Sequence, residues 1–461
     1  MSAMTNTVRA FAASGHRGSG VNTRTLVLGA GLTGQSVARW FAAQGAHAEF
    51  ADMREDMDAS VIQSILPGAA VTLGDWATMD LSAVDQIVAS PGIPDHDPLL
   101  TRARAAGIPI LGDVSLFCRD VQAPVIAVTG SNGKSTVVSL LAAMCAAANV
   151  PAAAGGNLGT PVLDLPFVGD TGWYVLELSS FQLQRTDNLQ AYTACILNLS
   201  PDHLDWHGSM ASYAAAKARI YRHCQFAVIN ADAGLELTEV DPAAAQVRYA
   251  LAAPEAREFG VCAHDGALWI AFGDERLLRV SECGLIGRHN VSNVLAALSI
   301  GSTMDLSMTA MLEAVRAFKG LEHRHQLVAS RSGVNWINDS KATNTGAALA
   351  SIAAVDGPVV LLLGGRDKGE DLRAFARSLP ANVRYSIAYG ENRALVESAL
   401  RDAGQRVLAA DDLATAVQRA AAVALGGDSV LLAPAAASHD AYRDYRERGT
   451  HFAQLVNEVI V

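Results

Sequence analysis

The residues best equipped for chemistry are Gly130, Ser131, Asn132, Gly133, Lys134, Ser135 and Thr136, which directly follow the apolar run Val125 to Thr129. A strand that breaks into a glycine turn and then opens a helix lines up backbone N–H groups around a phosphate. Lys134 adds a point charge suited to β- and γ-phosphates, and the Ser135 hydroxyl can ligate Mg²⁺. The usual phosphate-binding loop, G-x-x-x-x-G-K-S/T, is longer. Here only Ser131 and Asn132 separate Gly130 from Gly133. The alternative is an ordinary strand-to-helix turn, which the lysine and hydroxyls placed directly after Gly133 disfavour.

Chemistry on ATP also calls for an acid that holds a metal. Glu177 ends the apolar run WYVLE, and the strand ends of open α/β sheets are where ligands bind. A carboxylate there can hold Mg²⁺ directly or through water, although on its own a strand-end glutamate is more often a solvated surface residue. His203, in PDHLDWHGS, is either a metal ligand or a satisfied loop histidine. Lys217, in SYAAAKARIY, reads on its own as an exposed helix lysine. A second glycine turn follows RTLVL: Gly29, Gly31 and Gly34 have GxGxxG spacing, which alone would suggest a dinucleotide.

The elements that must position these groups alternate along the chain. Residues 24–112 read as strand, glycine turn, helix and strand, with further strands in VDQIVASPGI and IPILGD. Residues 113–320 restart the pattern with VIAVTG, WYVLELS, ACILNLS and FAVIN, short apolar runs typical of parallel strands buried on both faces. ALWIAFGDERLLRVSE reads as an antiparallel hairpin in a small side sheet, and HNVSNVLAALSIGSTM as a helix opening near Asn290. Residues 321–461 supply VNWIND, PVVLLLGG, RYSIAYG and DSVLLAP. The expected fold is α/β in three domains: a Rossmann-like first domain, a central phosphate-loop sheet with its side hairpin, and a Rossmann-like third domain. Residues 1–23, rich in Ser, Gly and Ala, are expected to be a disordered leader without a secretory signal.

TGSNGKST, ELSSFQL, PDHLDWHGS and the helix holding Lys217 stand in the order seen in the Mur ligases. These are the ATP-dependent amide ligases of peptidoglycan precursor synthesis, related to folylpolyglutamate synthetases. The sequence resembles that family over nearly the whole chain after the leader, and the short loop is the family's own form. GLEHRHQL followed by NDSKATN, together with SPGI, LGDVSLFCR and LLAPAAASHDAYRDYRERG, resembles the member that adds D-glutamate to UDP-N-acetylmuramoyl-L-alanine.

The resemblance implies that the alanyl carboxylate attacks the γ-phosphate of ATP to give an acyl phosphate, which the D-glutamate amine then opens. It implies two Mg²⁺ ions, one held by Ser135 and Glu177 and a second near His203. Lys217 matches the lysine that the family carbamylates. Asn293, Arg324 and Asp339 match nucleotide-contacting positions, and Asn157 a contact near the reacting carboxylate. The first domain would hold UDP through Thr33, Asp52, Arg54 and Ser90, leaving GxGxxG without a dinucleotide. Lys341, Thr343, Lys368, Ser438 and Tyr445 would take D-glutamate, Lys341 also helping with phosphates and Tyr445 acting through its backbone. PAAAS lacks a cysteine often found there, and Tyr445 stands where phenylalanine is common.

Composition narrows the alternatives. A formal net charge of −11 leaves no basic excess for a nucleic-acid face. The six cysteines show no CxxC and read as reduced thiols of a cytoplasmic protein. The most apolar stretch, Val137 to Ala154, is interrupted by Asn149 and Pro151 and reads as a buried helix and turn, so no membrane span is expected. A monomer is expected. A nicotinamide dehydrogenase would explain GxGxxG but leave TGSNGKST, Glu177 and Lys341 idle. A non-catalytic nucleotide-binding module would bind ATP without turnover stimulated by substrate.

Overall fold

The computed structural model describes residues 23–459 apart from 158, 201, 235–238, 286, 356 and 368. The expected leader and Lys368 therefore fall outside the described residues. The chain forms two compact units, one made of the chain up to Cys283 with Ser292–Ala317, the other of Gly284–Val291 with Phe318–Val461.

The first unit contains two sheets. The strands β1 (Thr25–Leu28), β2 (Glu49–Asp52), β3 (Val71–Leu73), β4 (Gln86–Ala89) and β5 (Ile110–Leu111) form a parallel sheet in the order β3-β2-β1-β4-β5. Successive residues of β1 point to opposite faces. Val27 therefore joins a core with Phe41 and Phe50, while Leu26 and Leu28 join another with Trp76 and Leu99. Gly34 lets the following helix approach the turn: a Cβ there would lie 2.0 Å from the Gly29 carbonyl oxygen.

The second sheet comprises β6 (Val125–Thr129), β7 (Ala152–Gly156), β8 (Trp173–Glu177), β9 (Thr193–Ile196), β10 (Phe226–Asn230), β11 (Ala245–Tyr249), β12 (Phe259–His264), β13 (Ala267–Phe272) and β14 (Glu275–Arg279), in the order β14-β13-β12-β11-β10-β9-β6-β8-β7. All five residues of β6 are buried, as a central parallel strand covered on both faces requires. The hairpin expected from ALWIAFGDERLLRVSE forms as antiparallel β13 and β14, and it continues the parallel sheet through β12, joined to β11 at the single pair Tyr249↔Phe259. Val137 to Ala154 becomes most of the helix Lys134–Ala147 and the start of β7. No described helix is long and apolar enough to cross a membrane, and all six cysteines are unpaired.

Partly buried polar ties hold the two sheets in one unit. The Arg39 fork grips Asp164 at 2.6 and 2.8 Å, and Trp40 Nε1 donates to Asp120 at 2.8 Å. Arg185, at the end of the helix Ser180–Gln184, donates to the carbonyls of Ser90 (2.8 Å) and Ile93 and to the Asp95 carboxylate. Leu116, from the helix Asp113–Asp120, packs into the core of the first sheet.

At that helix start Asp113 is 2% exposed; among the described residues its Oδ1 has no hydrogen-bond partner, and its Oδ2 faces Gln182 Nε2 at a long 3.4 Å. Burial, against weaker help from the Val114 N–H and Gln182, pushes its pKa up to about 6. An unfolded aspartate titrates near ~4. Between about pH 4 and 6 the folded chain therefore holds a proton that the unfolded chain has lost, and stability falls as pH rises through that window. Asp113→Asn removes this term. Its stability relative to wild type should rise by up to about 1.4 kcal/mol per pH unit from pH 4 to 6 and then level off, as read by urea titrations across that range.

The second unit carries β15 (Gln326–Arg331), β16 (Val334–Asn338), β17 (Val359–Gly364), β18 (Val383–Tyr389), β19 (Val407–Ala409) and β20 (Ser429–Leu432), ordered β15-β16-β20-β17-β18-β19. Only β15 runs antiparallel to its neighbour. Val359, Leu361 and Leu363 face one core, Val360 and Leu362 the other, so this sheet too is covered on both sides.

Candidate active site

The phosphate-loop turn between β6 and the helix Lys134–Ala147 is held from several sides. Gly133 has φ +82°, and a Cβ there would lie 2.3 Å from Asn293 Oδ1, so glycine is needed both for the backbone and for the approach of Asn293. Asn132 N–H donates to Asn198 Oδ1 at 2.9 Å, and Asn198 Nδ2 donates back to the Asn132 carbonyl at 3.1 Å. Ser131 Oγ lies 3.0 Å from both the Ser200 carbonyl and the Tyr213 hydroxyl. Lys134 Nζ folds over the loop, donating to the carbonyls of Gly130 (2.8 Å) and Ser131 (2.9 Å). Thr136 follows within the first helical turn, partly buried.

Glu177 comes to the same place because β8 pairs with β6 in parallel, with Val128 opposite Glu177. The Ser135 hydroxyl donates to Glu177 Oε2 at 2.7 Å and Asn157 Nδ2 to Oε1 at 2.9 Å. Asn157 is positioned by its own N–H, which donates to the Glu177 carbonyl at 2.8 Å. Glu177 is buried, and among the described residues it meets neutral donors but no salt-bridge partner. A buried carboxylate beside a hydroxyl, short of a cation, suits a hard divalent ion. Among the described residues no group of three or more His, Cys, Asp or Glu gathers.

Lys217 is not the exposed helix lysine that its local sequence suggests. It is 2% exposed, and its Nζ donates to Thr129 Oγ1 (3.1 Å) and to the Gly130 carbonyl (3.0 Å), the same oxygen that Lys134 uses. Burial, and then the neighbouring Lys134, push its pKa down to about 6. Its helix, Met210–Ala218, turns this face to the loop, with the Tyr213 ring 4.8 Å below the amine.

His203 makes no described hydrogen bond with this cluster. It is exposed with φ +51°, its ring 4.8 Å from Phe181 and its Nε2 3.6 Å from Asp202. No described hydrogen bond joins it to Ser135 or Glu177.

At the strand ends of the first sheet, Asp52 accepts from the Ala30 N–H (2.8 Å) within the glycine turn and from the Arg54 N–H, Nε and Nη2 (3.0, 2.8 and 2.7 Å). The Arg54 fork, with help from these backbone N–H groups, holds the buried carboxyl down to about 2. Ser90 Oγ donates to the Gly29 carbonyl at 3.2 Å. Thr33 lies partly buried in the first turn of the helix Leu32–Ala43. Thr33, Asp52, Arg54 and Ser90 therefore surround one glycine turn.

In the second unit Asp339 follows β16, and burial pushes its carboxyl up to about 6 against the pull of Ser351, the His325 backbone and Arg324. Lys341 Nζ stacks 4.4 Å over the Tyr445 ring. Thr343 N–H donates to the Lys341 carbonyl at 2.8 Å. The Tyr445 carbonyl accepts from the Ser340 hydroxyl at 2.8 Å, and Ser438 is buried in the turn that precedes Tyr445.

Sequence reasoning missed Tyr213, Asn198 and Arg448. Asn198 lies within ACILNLS, two residues beyond the end of β9, and that position past a strand end was the signal that could have found it. Tyr213 lies one helical turn before Lys217 on the same face. Arg448 is one of three arginines in YRDYRERG, with nothing local to single it out.

The chain matches the Mur ligase MurD-like N-terminal domain over residues 23–112, the Mur ligase middle domain over 128–301 and the Mur ligase glutamate ligase domain over 323–436. It is 41% identical over 443 residues to the UDP-N-acetylmuramoylalanine–D-glutamate ligase of Nitrosococcus oceani, covering 95% of this chain and 98% of that one. It is 42% identical over 439 residues to the ligase of the same name from Chromohalobacter salexigens, covering 93% and 96%. Its fold resembles that of the UDP-N-acetylmuramate-alanine ligase of Thermotoga maritima, with a TM-score of 0.57 at 18% identity over 95% of this chain and 100% of that one. With family domains matched in order and relatives above 40% identity aligned along almost their full length, the chain belongs to the Mur ligase family.

Proposed function

We propose that the chain is an ATP-dependent ligase that joins D-glutamate to the alanyl carboxylate of UDP-N-acetylmuramoyl-L-alanine in peptidoglycan precursor synthesis. The observation that carries the chemistry is the convergence of Lys134, Ser135, Glu177 and buried Lys217 on one strand-end turn. The relatives' shared name supplies the substrates. A carboxylate is a poor electrophile and oxide a poor leaving group, so the acid must be activated. One carboxylate oxygen attacks the γ-phosphorus and ADP departs. The D-glutamate amine then adds to the acyl carbon, phosphate leaves with the bridging oxygen, and the amine proton passes to solvent.

The chain's part is to hold reactants in line and neutralise the growing negative charge. Gly130 to Thr136 cradle the phosphates, with Lys134 swinging from the loop carbonyls to the β- and γ-oxygens. Asn293, Arg324 and Asp339 are the positions that the family resemblance assigns to the nucleotide. Asn157 steadies the reacting carboxylate beside Glu177. Ser135 and Glu177 would hold one Mg²⁺, and His203 with carbamylated Lys217 a second. Bound Mg²⁺ supplies neutralising charge on the phosphates. Thr33, Asp52, Arg54 and Ser90 hold the UDP portion; Lys341, Thr343, Lys368, Ser438 and the Tyr445 backbone hold D-glutamate. The three domains divide near residues 112 and 320, and the enzyme works in the cytoplasm as a monomer.

Phosphate release with amino acids offered singly tests the reading. Release should require ATP, UDP-N-acetylmuramoyl-L-alanine and D-glutamate together, with L-glutamate nearly inert and no oxidation of NADH or NADPH. Equal use of L-glutamate, or ATP turnover indifferent to the nucleotide-sugar, would refute it.

A further inference from the structure

Arg448 is 1% exposed and the bulkiest of the fully buried side chains. An interior guanidinium normally faces a carboxylate, because an unpaired buried charge is costly. Among the described residues Arg448 has no such partner. Its N–H groups are spent on neutral oxygens: Nε donates to Ser340 Oγ (3.0 Å), Nη2 to the carbonyls of Ser340 (2.9 Å) and Ala436 (3.2 Å), and Nη1 to those of Ala436 (3.2 Å) and Ala437 (3.3 Å). The hydrogen bonds are satisfied by neutral groups alone, and the acidic neighbour, Asp440 beside Gly390, makes no direct contact with the guanidinium among the described residues.

These hydrogen bonds fall on two segments, and a third packs against the guanidinium. Ser340 precedes Lys341, and its hydroxyl also donates to the Tyr445 carbonyl. Ala436 and Ala437 precede Ser438. The third segment is the turn at Gly365, where a Cβ would sit 3.1 Å from Arg448 Nη1. The segments are also laced to one another. Arg366 and Ala437 exchange backbone hydrogen bonds at 2.9 and 3.1 Å, and the Ala435 N–H donates to the Ala342 carbonyl at 2.9 Å. A planar fork with five donors can hold several carbonyls at fixed angles, which a lysine cannot.

We propose that Arg448 is the positioning residue of the amino-acid site, fixing the Ser340 and Ala436 segments, with the Gly365 turn packed against it, around the incoming amino acid, and lending a positive charge not spent on a direct carboxylate contact to a ligand with two carboxylates. This rests on the reading that Lys341, Thr343 and Ser438 take the amino acid. Arg448 acts through those neighbours and through its field, without touching the reacting atoms.

Steady-state kinetics of Arg448→Lys, Arg448→Met and Ser340→Ala, with melting curves, test the proposal. Arg448→Lys keeps the charge but loses the fork; the D-glutamate KM should rise at least tenfold while the KM values for ATP and nucleotide-sugar stay within twofold. Arg448→Met should raise it further and reduce the preference for D-glutamate over neutral D-glutamine, a change that loss of packing alone would not produce. Should Arg448→Met fail to fold, Ser340→Ala, which removes one acceptor and the link to Tyr445, should still raise the D-glutamate KM several-fold. Folded Arg448→Lys and Ser340→Ala enzymes with an unchanged D-glutamate KM, or with all three KM values raised alike, overturn the proposal. Thr343→Val and Ser438→Ala separate it from the reading beneath it. If they raise the D-glutamate KM while the Arg448 variants do not, the site stands and the role of Arg448 falls. If they do not, the amino acid binds elsewhere and both fall.

Discussion

Lys134→Ala is expected to lower turnover by about a thousandfold or more while leaving the fold intact. Its ammonium is the cation within the phosphate-loop motif, and it already lies on that turn, 2.8 and 2.9 Å from the Gly130 and Ser131 carbonyls. Removing a single preorganised donor to developing charge typically costs about 10²–10³ in kcat. A full positive charge facing the transferred phosphoryl group should cost at least as much. Stability should change little, because the side chain is only partly buried and the loop keeps its ties through Asn198, Ser200 and Asn293. ADP release, measured beside a melting curve, checks both parts. A well-folded variant with near-normal turnover would remove the loop from the chemistry.

Lys217→Ala should cost about a hundredfold or more in kcat and recover part of it with added acetate or formate. A free ammonium beside Mg²⁺ would oppose the metal's charge, yet Lys217 is buried within hydrogen-bond reach of Gly130. With burial pushing its pKa down to about 6, its amine is largely uncharged at neutral pH and can attack carbon dioxide. In the proposed modification the N–C bond would form, one C=O electron pair would move onto oxygen, and the displaced proton would go to solvent, leaving an anionic carbamate. The alanine variant leaves space that a small carboxylate can fill. Below about pH 6 the amine holds its proton and the carbamate is lost, so wild-type activity should fall there. Undiminished turnover in Lys217→Ala, or a deficit that neither acetate nor formate touches, would count against a carbamate.

The contrast between these two lysines indicates what the sequence could reveal. Lys134 was legible because local order does the work: an apolar strand, two glycines and a helix start place it whatever surrounds it. Glu177 was legible in the same way, since a strand end in a parallel sheet has only one side on which to present ligands. Lys217 read as exposed because its burial is decided by what packs over its helix, namely the loop carbonyls and the end of β6, and no periodicity in SYAAAKARIY reports them. Arg448 was invisible for a similar reason: Arg443, Arg446 and Arg448 lie within one short stretch, and only the tertiary fold turns the last inward. The three sheets followed from apolar runs and turns. The continuation of the hairpin into the second sheet rests on one strand pair, Tyr249↔Phe259, which composition could not announce.

The central claim is that the carboxylate is activated as an acyl phosphate and then captured by D-glutamate. Oxygen transfer tests it most directly. UDP-N-acetylmuramoyl-L-alanine labelled with ¹⁸O in both oxygens of its alanyl carboxylate is incubated with enzyme, ATP, Mg²⁺ and D-glutamate, and the released phosphate and the product are weighed by mass spectrometry. The account predicts one ¹⁸O in each phosphate released and one retained in the new amide of a D-glutamyl product. Phosphate free of label, or label transfer without D-glutamate in the product, would contradict it.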